Sequence, residues 1–153
     1  MTSRKCLILY YSGNGNTHRM AKVMGEAMAS QGIHVTIKEV SRFNTLLLPN
    51  YDGILIGSPT YFSNVAWQVK KVIDESIVHY RGKKLKGKVV GIFTSAGTRK
   101  DGKDCLKILE VAFGYHHGMK LMKGILRVDG ERDNEVEKRC QGYSKRLARE
   151  IKK

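Results

Sequence analysis

The sequence is poor in proline and cysteine, with two and three in 153 residues, and each scarcity excludes something. Few prolines together with 41% apolar residues exclude the composition of a disordered chain. Cys6, Cys105 and Cys140 lie far apart with no Cys-x-x-Cys spacing. That excludes a disulfide framework and gives no zinc or iron–sulfur ligand set, so no metal is expected and the thiols are read as buried packing groups. The longest apolar runs, Cys6 to Tyr11, Ile54 to Ile56 and Val89 to Phe93, are far too short to span a bilayer. Met1 to Lys5 leads straight into one of them without a signal-peptide apolar region, so a cytoplasmic location is expected.

Acidic residues are also few, 14 against 28 lysines and arginines, for a net charge of +14. Such an excess suits an acidic protein, a polyanion or a phosphorylated ligand. No zinc finger or RNA-binding signature accompanies it, so nucleic acid is not the expected partner. The densest stretch is Arg81, Lys83, Lys84, Lys86 and Lys88, with no acid between them. It reads as a solvated loop ahead of a strand.

What is present is a regular alternation. Strand-like runs at 4–11, 33–40, 52–58, 87–94 and 120–128 are separated by helical periods at about 17–31, 64–78, 102–117 and 133–152. This order predicts parallel strands with helical crossovers in one domain, 1–153. Met20, Val23, Met24, Ala27 and Met28 form one helical stripe; Val136, Cys140, Tyr143, Leu147 and Ile151 form another. Cys6 to Tyr10 and Val89 to Phe93 are continuously apolar, as strands covered on both faces are. His34 to Val40 alternates, as an edge strand does. The fold class is therefore α/β: a five-stranded parallel sheet in the order 2-1-3-4-5 with helices on both faces.

In such a sheet ligands bind at the carboxyl ends of the strands, where the order reverses between strands one and three. The loops there are the chemically richest parts of the chain. Strand one runs into Ser12-Gly13-Asn14-Gly15-Asn16-Thr17 and then a helix. A glycine-, hydroxyl- and amide-rich strand-to-helix loop suits phosphate, through backbone N–H groups and the helix dipole. It holds no lysine or arginine, so the donors are neutral. It lacks the Gly-Lys-Ser/Thr of a nucleotide P-loop and the third glycine of a dinucleotide fingerprint. Strand three ends in Gly57-Ser58-Pro59-Thr60-Tyr61-Phe62-Ser63-Asn64, whose Tyr61 and Phe62 can stack on a planar ring, and strand four ends in Thr94-Ser95-Ala96-Gly97-Thr98. Trp67 lies off the Val65, Val69, Val72, Ile73 stripe, which suits a residue facing the crevice or a partner and equally a half-exposed tryptophan with no role. A phospho-receiver domain shares the topology, but it needs acids after strand one and an aspartate ending strand three. Tyr10-Tyr11-Ser12 and Gly57-Ser58-Pro59 supply neither.

The first loop resembles the flavodoxin phosphate loop, Thr/Ser-x-Thr/Asn-Gly-Asn-Thr. The second and third resemble the flavin loops of the FMN-dependent NAD(P)H:quinone oxidoreductases of the tryptophan-repressor-binding-protein group, whose Pro-Thr-x-Phe-x-Asn motif is matched in full. Tyr115-His116-His117-Gly118-Met119 is similar to that group's His-His-Gly-Met segment. The resemblance covers nearly the whole chain. It implies FMN, with Ser12, Gly13, Asn14, Gly15, Asn16 and Thr17 at the phosphate, Pro59, Thr60, Tyr61, Phe62 and Asn64 along the ring, and Thr94, Ser95, Ala96 and Gly97 closing the other side. It also implies a homo-oligomer in which His116 is catalytic, reaching a neighbouring subunit's flavin. Against that, His116 continues the stripe of Cys105, Leu109, Ala112 and Phe113, and the chain lacks the group's long insertions.

The function expected on this resemblance is an oxidoreductase that takes electrons from NADPH or NADH and passes them through FMN to a quinone or similar small acceptor. The alternative is a flavodoxin-type carrier with no NAD(P)H activity, steered by its positive surface to an acidic redox protein.

Overall fold

A computed structural model of the chain describes residues 3–153. The parallel sheet forms in the expected order at its core, β2-β1-β3-β5, and is flanked by helices on both faces. Its members are β1 (Lys5–Tyr10), β2 (His34–Glu39), β3 (Gly53–Tyr61) and β5 (Val89–Ala96). The short antiparallel β4 (Asn64–Val65) folds back on β3, and β6 (Lys120–Leu121) and β7 (Ile125–Val128) both pair with β5, so there are seven strands where the sequence suggested five.

Both departures have local causes. The run 120–128 breaks at Gly124, where a β-carbon would meet Ile92 and Leu106, so the chain bulges away from the ladder. The hydroxyl of Tyr143, carried on a helix below, fills the break: it accepts from the Ile92 N–H (3.1 Å) and donates to the Met122 carbonyl (3.2 Å). The expected helix start at 64 is displaced because Asn64 and Val65 are consumed by the hairpin.

The helices are α1 (Asn16–Ser30), α2 (Trp67–Glu75), α3 (Arg99–Leu109) and α4 (Asp133–Lys152). Alternation along each central strand divides the core in two. Cys6, Ile8, Leu55 and Phe93 pack under α1 and α4, against Met20, Met24, Met28, Cys140, Tyr143 and Leu147. Leu7, Leu9, Ile54, Ile56 and Ile92 pack under α2 and α3, against Val69, Val72, Cys105 and Leu109. Each buried Leu, Ile or Met side chain contributes about 1.5–3 kcal/mol, and all three thiols are buried as expected. β2 is the half-exposed edge, with Ile37 among the exposed apolar residues.

After Leu109 the α3 helix widens into a π-helical segment, Glu110–His116. Its i→i+5 bonds, such as His117 N–H to Ala112 C=O at 3.1 Å, keep residues four apart on one face. Cys105, Leu109, Phe113 and His117 therefore form the buried line, and His116 turns out to solvent, off the stripe expected for it.

Candidate functional site

The loops after β1, β3 and β5 converge at the carboxyl edge of the sheet, tied by buried side-chain bonds. Thr17 Oγ1 and Ser95 Oγ meet at 2.9 Å, joining the first loop to the third. Thr94 donates to the Ser58 carbonyl (2.6 Å), so the 2.7 Å contact with Thr60 is a bond in which Thr60 donates, joining the second to the third. The residues expected at one site are thus brought together, His116 excepted.

In the first loop Ser12 Oγ accepts from the N–H groups of Gly15 (3.1 Å) and His18 (3.2 Å), and Asn14 Oδ1 accepts from the Asn16 N–H (3.1 Å). These bonds fold the loop over the start of α1, and Gly15 takes φ +97° at the helix entry, a conformation that glycine adopts without strain. Among the described residues the N–H groups of Gly13, Asn14 and Thr17 have no hydrogen-bond partner. No acid stands in the first turn of α1, so the positive end of its dipole is uncompensated. The nearest cation on that helix, Arg19, is committed to Asp133 (2.7 Å) and Glu137 (3.7 Å), and Arg127 also pairs with Asp133. What the loop offers is a cradle of unpartnered neutral donors, which fits a phosphate monoester.

The second loop is a hairpin. Thr60 pairs with Val65 and Tyr61 with Asn64, leaving Phe62-Ser63 as a two-residue turn with φ +52° and +63°. Positive φ at both central residues is the type I′ geometry, which favours Asn-Gly. Here it is held by a phenylalanine whose side chain is fully exposed and by a serine whose Oγ donates to Asp101 Oδ1 at 2.8 Å. Tyr61, nearly half exposed, brings its hydroxyl over Gly13, where a β-carbon would push that hydroxyl aside. Asn64, exposed, accepts from the Val65 N–H through its Oδ1. The tip thus presents two aromatic rings beside the phosphate-type loop and spends strain doing so.

The third loop passes from Ala96 through Gly97 to Thr98, which caps α3: its Oγ1 accepts from the Asp101 N–H (3.2 Å) and donates to Asp101 Oδ2 (2.9 Å). Asp101, bonded by both Ser63 and Thr98, is held below the usual carboxylate range by those two bonds. It latches the strained hairpin to the α3 terminus. Sequence reading missed this latch, although Thr98-x-x-Asp101 is a capping signature. It also missed a fourth loop, Asp129-Gly130 after β7, brought in by the Asp129 N–H bond to the Ala96 carbonyl (2.9 Å).

His116 and Trp67 fall elsewhere. His116 lines a cavity of about 500 Å³ with Ile73, Ile77, Tyr80 and His117, at the amino edge of the sheet. Within one chain it does not join the three loops. Trp67, exposed at the start of α2, lines a shallow groove with Phe43 and Lys71. Among the described residues no cluster of His, Cys, Asp or Glu could hold a metal ion, and no helix is long and apolar enough to cross a membrane.

A flavodoxin-domain family model matches residues 7–126, the stretch that contains the three converging loops. A flavodoxin of Clostridium saccharobutylicum is 31% identical, over 97% of this chain and 98% of its own. An NAD(P)H dehydrogenase (quinone) 3 of Rhizobium meliloti is 30% identical, over 82% of this chain and 71% of its own. The crystal structure of a WrbA-like flavodoxin protein from Agrobacterium tumefaciens superimposes with a TM-score of 0.85 at 25% identity, covering 98% of both chains. By loop, by sequence and by fold, the chain belongs to the flavodoxin domain family.

Proposed function

We propose that the chain binds FMN across its three loops and works as an NAD(P)H-dependent oxidoreductase that delivers electrons to a quinone or similar small acceptor. The observation that carries the reading is the strained Phe62-Ser63 turn. It sets Tyr61 and Phe62 beside a cradle whose Gly13, Asn14 and Thr17 N–H groups are unpartnered. FMN supplies the electron exchange; the protein supplies binding, orientation and exclusion of water.

The residues divide that work. Gly13, Asn14 and Thr17 would hold the phosphate by their free N–H groups, Ser12 and Thr17 by their hydroxyls and Asn16 by its side-chain amide, while Gly15 turns the chain into the helix. Pro59, Thr60, Tyr61, Phe62 and Asn64 would flank one side of the ring, and Thr94, Ser95, Ala96 and Gly97 the other. The Thr60–Thr94–Ser58 bonds fix the spacing between these two walls. Exposed aromatic surface at the tip leaves a face on which a nicotinamide or a quinone can stack. The basic surface favours a phosphorylated dinucleotide, and the dehydrogenase relatives favour an enzyme.

A second reading, an electron carrier, is favoured by one observation: the clostridial flavodoxin matches end to end, whereas the quinone dehydrogenase extends beyond the match. Anaerobic addition of NADPH and then NADH to FMN-loaded protein separates the two. Rapid loss of the oxidised flavin absorbance is expected. A flavin that stays oxidised with both nucleotides would overturn the enzyme reading in favour of the carrier.

A further inference from the structure

The amino edge of the sheet, opposite the three loops, carries features that the flavin site does not use. After α2 a 3₁₀ turn, Ser76–His79, projects Ile77 and Val78, 66% and 55% exposed, and Tyr80 follows, also exposed. His116 lines the groove, and the exposed Tyr115 stands edge-on against its ring, the centroids 4.9 Å apart. An apolar patch of this kind on a chain otherwise rich in charge marks an interaction surface.

The basic run begins where the patch ends. Arg81, Lys83, Lys84 and Lys86 are all exposed, and among the described residues none pairs with a carboxylate. On the flanking helices Asp74 and Glu110 pair with Lys70 and Lys107, and Glu75 accepts from the Thr45 hydroxyl at 3.2 Å. Nor is this a loose loop. Leu85 is fully buried, and bonds from Lys83 N–H to Tyr80 C=O, Lys84 N–H to His79 C=O and Lys86 N–H to Lys83 C=O fold it into consecutive turns. The cations are displayed on a fixed platform beside the aliphatic tip.

We propose that this edge, Ile77 to Lys86, docks the protein on an anionic phospholipid surface. The aliphatic tip would enter the acyl boundary, tyrosines would sit at headgroup level, and the lysines and Arg81 would meet the phosphates. Charge decides against a second copy of the chain, because a twofold contact here would set two clusters of four unpaired cations face to face. The absence of any zinc finger or RNA-binding signature beside the cations decides against nucleic acid. The eight residues of β5 set the patch roughly 25 Å from the flavin loops, so docking leaves them open to solvent.

The test is co-sedimentation of the FMN-loaded chain with phosphatidylcholine vesicles and with vesicles one-third phosphatidylglycerol. Binding is expected only to the anionic vesicles and is expected to vanish at high salt. A cation near an anionic leaflet is worth about fivefold, so Lys83→Gln/Lys84→Gln/Lys86→Gln should weaken partitioning about a hundredfold. The charge-matched control Lys22→Gln/Lys38→Gln/Lys145→Gln, at exposed positions on other faces, should weaken it less than tenfold. Ile77→Ser/Val78→Ser should also weaken it about tenfold or more, with the bound-flavin spectrum unchanged in every variant. Equal losses in the two lysine triples, which is attraction by net charge alone, would overturn the proposal. So would binding indifferent to Ile77 and Val78, or an Ile77→Ser/Val78→Ser change that acts only by turning a dimer into a monomer in sedimentation equilibrium.

Discussion

Replacing Phe62 by asparagine is expected to make the protein more stable and a poorer FMN binder. Phe62 sits at φ +52° with its ring wholly in solvent, so its side chain contributes nothing to the core. A left-handed backbone costs an ordinary L-residue about 1–2 kcal/mol, and asparagine tolerates it best. Relief of about half that cost puts the gain near 1 kcal/mol, which raises Tm by about 2–4 °C in a domain of this size. The aromatic ring is lost at the same time. A stacked aromatic contact is worth about 0.5–1.5 kcal/mol, so FMN affinity should fall roughly two- to tenfold. Calorimetry of the apoprotein and a flavin fluorescence titration read the two effects separately. A Phe62→Asn protein that melts lower, or that binds FMN as tightly as before, would refute the view that this turn keeps its strain for the sake of the ring.

Asn16→Ala with Thr17→Ala should weaken FMN binding by about 2–4 kcal/mol through two lost polar contacts, read by the same titration; unchanged affinity would mean that the phosphate lies elsewhere. Tyr143→Phe should cost about 1–3 kcal/mol in urea unfolding, because it strands the Ile92 N–H and the Met122 carbonyl at the break in the edge strand. Burial pushes the Tyr143 phenol up to about 12. With about 10 in the unfolded chain, its contribution is intact below pH 10 and lost as pH rises from 10 to 12. Loss of stability over that window should be smaller in Tyr143→Phe. His117 is held below the ordinary histidine range by burial and then by the charges of His79 and His116, while its Nε2–H donates to Ser76 Oγ, whose own proton goes to the Ile73 carbonyl. Its neutral form belongs to the fold, so its contribution is present above pH 6.5 and lost as pH falls through the depressed value. Proton NMR should show His117 titrating below the ordinary histidine range, and titration within that range would count against its burial.

Much of this was legible in the sequence because period and composition agreed. Continuous apolar runs at Cys6–Tyr10 and Val89–Phe93 set the central strands, and alternation at His34–Val40 set the edge. Three polar loops then had to fall at one end of a parallel sheet. What was illegible came from single residues overriding a period. Gly124 split a run that reads as one strand. Phe62-Ser63 took a hairpin geometry for which neither residue has a preference, so Asn64 and Val65 left the helix. The π segment turned His116 outward and His117 inward, because helix width is not encoded in an apolar stripe. The Asp101 latch and the Asp129 loop are tertiary contacts between segments far apart in the chain, and only the capping signature around Thr98 hinted at the first.

The central claim is that the unpartnered N–H groups of the Ser12–Thr17 loop hold the phosphate of a flavin, and comparing FMN with riboflavin, which lacks that phosphate, tests it most directly. Hydrogen bonds to a charged group contribute about 1.5–3 kcal/mol each, so two or more should make FMN bind at least about a hundredfold tighter than riboflavin in parallel fluorescence titrations. Equal affinity for the two would contradict the account, because the loop would then have no part in holding the ligand.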